Sequence, residues 1–440
     1  MNSFEPFDPL KAKSLADTEV AVLAQKRELK NILGSYVGWY DPFCELIQNA
    51  LDALDARSIS GDVFDGKVWI TINIKENSLS VTDNGIGLGE REFQQFLCPD
   101  ISFKSGKTRG HKGVGATYLA YGFNLIQVST KSPGFQAIGK MEGARKWLED
   151  ENPSGNPHVT QDAKSAALEF DQIDRGTSIH LRFDSSTHPG DLKWLVADKA
   201  KQWSRVLAVR TGLGAFFGND NIQVFVRVID KDGNETVEEF QGIEYLFPHS
   251  ILPKFASIRD IRSKMDEVYK KNGFNGTLPS KFRNLDAFFE RWTSEELIQL
   301  ASESQISLSE EERELIAKHE PEIYVSYVYS LKVWDRINEE LGVRAGQKIL
   351  YGGIQIAANN MPQGERIQIE LKRNIGRQNQ IHVVIHFDNC SADLGRKGFK
   401  SEIVEFSKEI AKKLADGPLA KVKSTLRANT GASPNLTRQE

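Results

Sequence analysis

The sequence predicts an α+β fold. Three observations carry this. After a polar, Pro-containing arm over residues 1–15, apolar side chains recur at helical spacing over 18–33 and 43–56, and the period then changes to two. After residue 320 strand-like runs return and end on a further helix.

Taken in order, Val20, Val22, Leu23, Leu29, Ile32 and Leu33 share a helical face between Thr18 and Leu33, and Gly34 is the stop. Residues 43–56, rich in Ala and Leu, form a second helix. In Val68–Ile74 the even positions are apolar, as in a strand with one covered face, and Leu79–Thr82 repeats the alternation across a hairpin turn at Glu76-Asn77-Ser78. Residues 84–113 hold glycines and basic residues and read as a mobile loop region, 114–123 as a helix and 124–130 as a strand. A polar surface excursion at 150–166 precedes a strand at Ser178–Phe183, a helix over about 191–210 and a strand at Ile222–Val228. Residues 256–318 are charge-rich and helical in pattern, with Phe288, Phe289 and Trp292 as core and the acidic runs Glu295-Glu296 and Glu310-Glu311-Glu312 as solvated helix faces. Strand-like runs follow at Ile323–Tyr329, at Gly353–Ala358 with Ile367–Leu371, and at Ile381–Phe387, then a helix at 400–415 and a polar tail from Ser424. The expected division is a large α+β domain over 1–245, a helical insert over 246–320, a smaller α+β domain over 321–416 and a tail over 417–440.

Composition bounds the function without naming it. The chain has 440 residues, 40% hydrophobic and 26% charged, which is ordinary for a globular protein with room for two or three cores. A net charge of −4 argues against a dedicated DNA-coating protein and leaves local basic patches open. Cys44, Cys98 and Cys390 are scattered, with no C-x-x-C pair, so neither a disulfide framework nor a structural zinc site is expected. The N-terminus lacks a signal-peptide pattern, and no run approaches the roughly 18 apolar residues of a membrane span. The expectation is a soluble, cytoplasmic protein with no membrane partner.

Four short blocks carry chemistry. Glu45, Asn49 and Asp52 stand at i, i+4 and i+7, one face of the second helix. An Asn oxygen there can serve as a Mg²⁺ ligand that leaves room for phosphate and water, and a Glu can orient and deprotonate a water. A solvated helix face is the plain alternative. Asp83-Asn84-Gly85-Ile86-Gly87 leaves a strand end: a carboxylate there can accept an exocyclic amine, and the glycines allow a ligand to approach closely. Gly110-His111-Lys112-Gly113-Val114-Gly115 opens a helix, where free N–H groups suit phosphate oxygens; Lys104, Lys107 and Arg109 upstream suit a lid. Gly176-Thr177 starts a strand, and the Thr hydroxyl can complete a network to an acid through water.

In this order the blocks resemble the GHKL ATPases: gyrase, the ninety-kilodalton heat-shock chaperones, histidine kinases, MutL and MORC proteins. The resemblance covers about residues 30–230. It implies a Bergerat-type ATP-binding sandwich with ATP and Mg²⁺ as cofactors. Glu45 would be the general base and Asn49 the Mg²⁺ ligand. Asp52 would lie on the base and ribose side, and Asp83 would bind the adenine amine with support from Thr177. Gly85, Gly87, Gly113, Val114 and Gly115 would shape the pocket, with Lys112 just before the phosphate-binding glycine. The region beyond 320 is similar to a transducer domain, which supplies a cation to the γ-phosphate. The loops 372–377 and 393–399 are the two candidates, with Lys397 preferred. The layout is closest to chaperone-like and MORC-like proteins, and implies an ATP-dependent homodimer closing on a DNA or protein client. For DNA, the basic run 371–377 and Lys412, Lys413, Lys421, Lys423 and Arg427 are the candidate surface. The alternative is a nucleotide-gated binding module, or a chaperone, with negligible turnover.

Overall fold

The computed structural model describes residues 18–99, 114–151, 155–216, 222–272, 278–344, 346–371, 375–388, 390 and 398–423. Where the apolar period is 3.6 the chain is helical, and where it is two the chain is extended. α1 (Thr18–Leu33) runs to the predicted stop, with Gly34 N–H bonded back to Lys30 O at 2.8 Å. α2 (Asp41–Ile59) opens with Asp41 and Pro42, which suit a first turn: the charge faces the positive end of the helix and the missing N–H would have had no intrahelical partner. The Asp41 carboxylate also accepts the Gly38 N–H at 2.7 Å.

Most of the α2 surface is covered. Phe43, Leu46, Ile47, Ala50, Leu51 and Leu54 are almost fully buried, and the helix packs on β1 (Lys67–Asn73), β2 (Ser78–Asp83) and β6 (Gly176–Arg182). β1 and β2 form the expected hairpin, in register Val68↔Asp83, with Val68, Ile70 and Ile72 inward. Between β2 and β6 lie α3 (Glu90–Gln95), α4 (Val114–Tyr121), β3 (Leu125–Ser132), β4 (Phe135–Glu142), α5 (Ala144–Glu149) and β5 (Val159–Gln161). α3 falls within the stretch expected to be loop, and its six residues are half-exposed or exposed, so no apolar stripe announces it. The expected surface excursion holds the short, exposed β5. Within this part of the chain the strands run β5-β4-β3-β6-β2-β1, each neighbouring pair antiparallel.

Two compact units divide the chain, Met1–Leu192 and Lys193–Glu440. In the second, α6 (Ala200–Arg210) is shorter than the helix expected over 191–210. Val196 sits at φ 54°, outside helical backbone, and the helix starts afresh where Gln202 Oε1 accepts the Lys199 N–H at 3.1 Å. β7 (Gln223–Ile229) and β8 (Glu235–Gln241) form a hairpin whose turn is held by Asp230, its carboxylate accepting N–H groups of Asp232 and Asn234 at 2.8 Å.

α7 (Pro248–Ile251), β9 (Phe255–Ser257), α8 (Ile258–Asn272), α9 (Ser280–Arg283), β10 (Ala287–Trp292), α10 (Ser294–Ser302) and α11 (Glu310–His319) follow. The stretch 256–318 is therefore not helical throughout. The run Ala-Phe-Phe-Glu-Arg-Trp is a strand, β10, paired along its length with β11 (Glu322–Val328). Aromatic residues that could sit in a helix are instead used as cross-strand partners. Phe288 and Trp292 are core, as expected, whereas Phe289 is only half-buried and stacks on His249 at 3.9 Å. The acidic runs divide: Glu295, Glu310 and Glu311 are exposed, as expected, and two of their neighbours are not. Glu296 and Glu312 are not merely solvated: each carboxylate reaches back to the N–H of its helix cap, Thr293 at 2.9 Å and Ser309 at 2.7 Å.

α12 (Lys332–Glu340), β12 (Gly353–Ala358), β13 (Met361–Pro362), β14 (Ile381–Phe387) and α13 (Ser401–Leu414) complete the unit. Its six-stranded sheet runs β13-β12-β14-β11-β10-β9 and is mixed, with β12–β14 and β9–β10 parallel. Ile367–Leu371 is not a strand and makes a single bridge, Ile354↔Ile367. Ile261, Phe288, Val325, Ile385, Phe406 and Ile410 mark the core under this sheet. The protein is thus α+β. Among the described residues no helix is long and apolar enough to cross a membrane.

Candidate functional site

α2 carries three of the predicted residues, and their burial excludes the solvated-face alternative. Glu45 is 7% exposed and Asp52 5%, on a helix otherwise sealed by apolar contacts, and Asn49 between them is half-buried. A buried acid needs a compensating environment. For Glu45, one contribution is the Tyr36 hydroxyl, which donates to Oε1 at 3.2 Å. Tyr36 in turn stacks on Tyr118 of α4, ring centroids 4.0 Å apart and planes 6° from parallel. Burial, reinforced by the nearby Asp41 and Glu45 carboxyls, holds the Tyr118 phenol well above its ordinary range, so it stays neutral.

The other side of the Glu45 carboxylate is covered by backbone. A Cβ added to Gly115 would lie 2.1 Å from Oε2 and 2.8 Å from Cδ. Only glycine lets the first turn of α4 come this close. The carboxylate is thereby held beside the first turn of α4, from Val114, where the backbone N–H groups of a helix have no intrahelical partner. Val114 itself is half-buried at that first position.

The glycine loop after β2 sits on the other half of α2. Ile86 N–H donates to Ala53 O at 3.0 Å, and a Cβ on Gly85 would collide with the Ala53 backbone at 2.5 Å. Gly87, at φ 69°, passes so near β3 that a Cβ would lie 2.1 Å from Lys131 O. Asp83, at the strand end, is 5% exposed. Its Oδ1 accepts the Gly85 N–H at 2.8 Å and the carboxylate also takes the Thr177 N–H. Burial raises its pKa to about 7, against those two hydrogen bonds, which pull down. Thr177 pairs with Asp83 across β2–β6, and its hydroxyl lies 3.5 Å from that of Thr130, which accepts the Leu88 N–H at 2.7 Å. Gly176 makes this pairing possible: at φ 138° its missing Cβ would fall 2.0 Å from Asp83 O.

Several contributors were not singled out in the sequence. Arg57 donates to Asn84 O at 2.7 Å and Arg175 to Ile86 O at 2.7 Å, and the Asp62 carboxylate ties the two guanidiniums together at 3.2 and 2.7 Å. The Asn84 side chain spans Lys67 N–H and Asp65 O. The loop carrying Gly85 and Gly87 is therefore clamped from both sides. Arg175 stands immediately before Gly176-Thr177, the one signal that could have drawn attention to it.

Glu45, Asn49, Asp52, Asp83, Gly85, Gly87, Val114, Gly115 and Thr177 thus belong to one construction around α2. Lys112, Gly113, Lys104, Lys107, Arg109 and Lys397 lie outside the described residues. Of the basic residues considered for DNA, Lys413 is committed to Glu312, and Lys423 is buried with its ammonium on the Tyr327 hydroxyl, 4.4 Å above that ring. These two do not form an open cationic surface, because each long stem is spent on an internal partner. Arg427 and residues 372–374 lie outside the described residues. Comparison with family models and with curated proteins gives no match for the chain.

Proposed function

We propose that the protein binds and hydrolyses ATP with Mg²⁺, and uses the cycle to close, as a homodimer, on a macromolecular partner. The observation that carries this reading is the position of the Glu45 carboxylate, buried between the Tyr36 hydroxyl and the first turn of α4. A carboxylate held at a helix start is placed to take a proton from a water beside a phosphate. The remaining donors fit the same ligand. Asp83 offers a buried acceptor suited to an adenine amine, with glycine backbone on the loop beside it. Asn49 would supply one oxygen to Mg²⁺, the rest coming from phosphates and water. Bound there, the metal would neutralise phosphate charge; the work of this chain is to hold Glu45 in place and exclude side chains from its approach.

Phosphate release and binding of a non-hydrolysable ATP analogue, measured on the wild type and Glu45→Ala, test the proposal. The variant should lose turnover by about 10²–10⁴-fold, the usual worth of a positioned general base, while analogue affinity changes little. Equal turnover in both proteins, with binding intact, would remove the hydrolase reading and leave a nucleotide-gated module. Light scattering with and without the analogue tests the dimer. A DNA-binding titration against salt tests the client: binding that appears only with nucleotide and weakens steeply with salt identifies DNA, and its absence identifies a protein client.

A further inference from the structure

Asp62 stands just after α2 with its side chain 40% exposed, and the proposed chemistry gives it no part. Its Oδ2 nevertheless takes both guanidiniums that hold the glycine loop, Arg57 Nε at 3.2 Å and Arg175 Nη1 at 2.7 Å. Both arginines are largely covered, and the Arg57 guanidinium also lies 4.4 Å from the Phe64 ring centroid. Asp174 is the other acid beside them, but it is far more exposed and reaches Arg57 alone, at 3.7 Å. Covered guanidiniums need a charge partner, so Asp62 decides where the pair rests.

From Arg57 the contacts reach Asp83 through a single peptide group. Asn84 O and Gly85 N–H are the two ends of one planar trans peptide and point in opposite directions. Arg57 donates to the oxygen at 2.7 Å, and the N–H donates to Asp83 Oδ1 at 2.8 Å. Fixing the carbonyl therefore fixes the donor that orients the Asp83 carboxylate. Glycine leaves its backbone free to turn, so the peptide before Gly85 has to be held from outside. Arg175 does the same two residues on, donating to Ile86 O at 2.7 Å in the peptide that leads into Gly87. Glu45 stands outside this relay, held by the Tyr36 hydroxyl and by the close approach of Gly115.

We propose that Asp62 is a positioning residue: through Arg57 and the Asn84–Gly85 peptide it orients the buried Asp83 carboxylate, and so sets ligand affinity without entering the hydrolysis step. The inference rests on the reading of Asp83 as the acceptor of the ligand's amine. A surface acid thereby governs binding, while turnover depends on a separate set of contacts.

Asp62→Ala tests the relay in the full chain, first without nucleotide. Carbon-13 NMR follows titration of the Asp83 carboxyl, identified by its loss in Asp83→Asn. The Gly85 N–H pulls that pKa down, so loosening it should move the midpoint up from about 7, and Asp62→Glu, which keeps the charge, should bring it back. Affinity for a non-hydrolysable ATP analogue should fall about tenfold in Asp62→Ala, the usual worth of one hydrogen bond to a charged group. The rate at saturating ATP should stay within about twofold of the wild type, as expected when binding alone is lost. An unmoved midpoint overturns the relay, as does unchanged affinity or a loss confined to kcat. If the wild type binds no analogue, the nucleotide reading fails and the midpoint alone decides the relay.

Discussion

Two polar clusters of the molecule are assembled by opposite means. Around α2 the first unit works by omission: Gly85, Gly87, Gly115 and Gly176 bring backbone where a methyl group would collide, and short acids sit between. Around Ile349 the second unit works by reach: Arg210 and Arg366 extend from distant parts of the chain to one carbonyl. A site made by close backbone approach tolerates almost no added atom, but it fixes its carboxylates without long, entropically expensive side chains. A cluster made by reach orders long side chains at an entropic cost and covers more ground with fewer close approaches.

Substitutions at glycine break the first half of this comparison most severely. Gly176→Ala combines left-handed backbone with a 2.0 Å approach to Asp83 O, whereas Gly134, at φ 78°, has nothing within 4 Å of its Cβ position. Both variants carry an unfavourable φ, so their difference reads the contact. Urea unfolding should show Gly176→Ala less stable by about 3 kcal/mol or more and Gly134→Ala by about 1 kcal/mol. Equal losses would mean that backbone strain alone, not close approach, builds the site.

Gly115→Ala sharpens the same point at the level of turnover. The added methyl must displace the Glu45 carboxylate, and a misplacement near 1 Å costs on the order of 100-fold in rate. Phosphate release should fall by about that factor with the far-UV circular dichroism unchanged. Wild-type rates in this variant would show that Glu45 needs no such confinement.

Asp83 gives a pH-dependent readout. Its pKa is raised from 3.8 to about 7 by burial, so between those values the folded chain holds a proton that the unfolded chain has released. The contribution of this carboxyl to stability therefore falls as pH rises through that window, and is constant above it. Binding of a ligand that donates to the ionised carboxylate moves the other way, tightening as pH rises through about 7. Asp83→Asn should flatten both profiles, measured by urea unfolding and by analogue titration. The smallest effect belongs to a surface cap: Thr293→Ala, which removes the acceptor of the Glu296 N–H, should cost about 1 kcal/mol and leave nucleotide affinity alone.

Legibility in the sequence follows the same division. α1, the β1–β2 hairpin and the strand at 381–387 announced themselves because one face of each is apolar at a regular period. Glu45, Asn49 and Asp52 were legible because a helix converts spacing into a shared face. Tyr36, Arg57 and Arg175 were not, since each acts across a tertiary contact that has no signature in local spacing. The pairing of Arg210 with Arg366 spans α6 and a loop after β13, and nothing in either segment hints at the other. β10 was hidden for a different reason: Phe288, Phe289 and Trp292 fit a helix or a strand equally until β11 supplies the partner. β8 carries Glu235, Glu238 and Glu239 and no fully buried residue, so it leaves little apolar signal.

Glu312 carries one more consequence. Its carboxylate closes the start of α11 through the Ser309 N–H, and the same group holds Lys413 of α13. A local stop signal and a tertiary clasp are thus one chemical group. Transient opening of the α11 end should release the C-terminal helix with it, so the amides of both segments would exchange with solvent as a single cooperative block rather than fraying one by one.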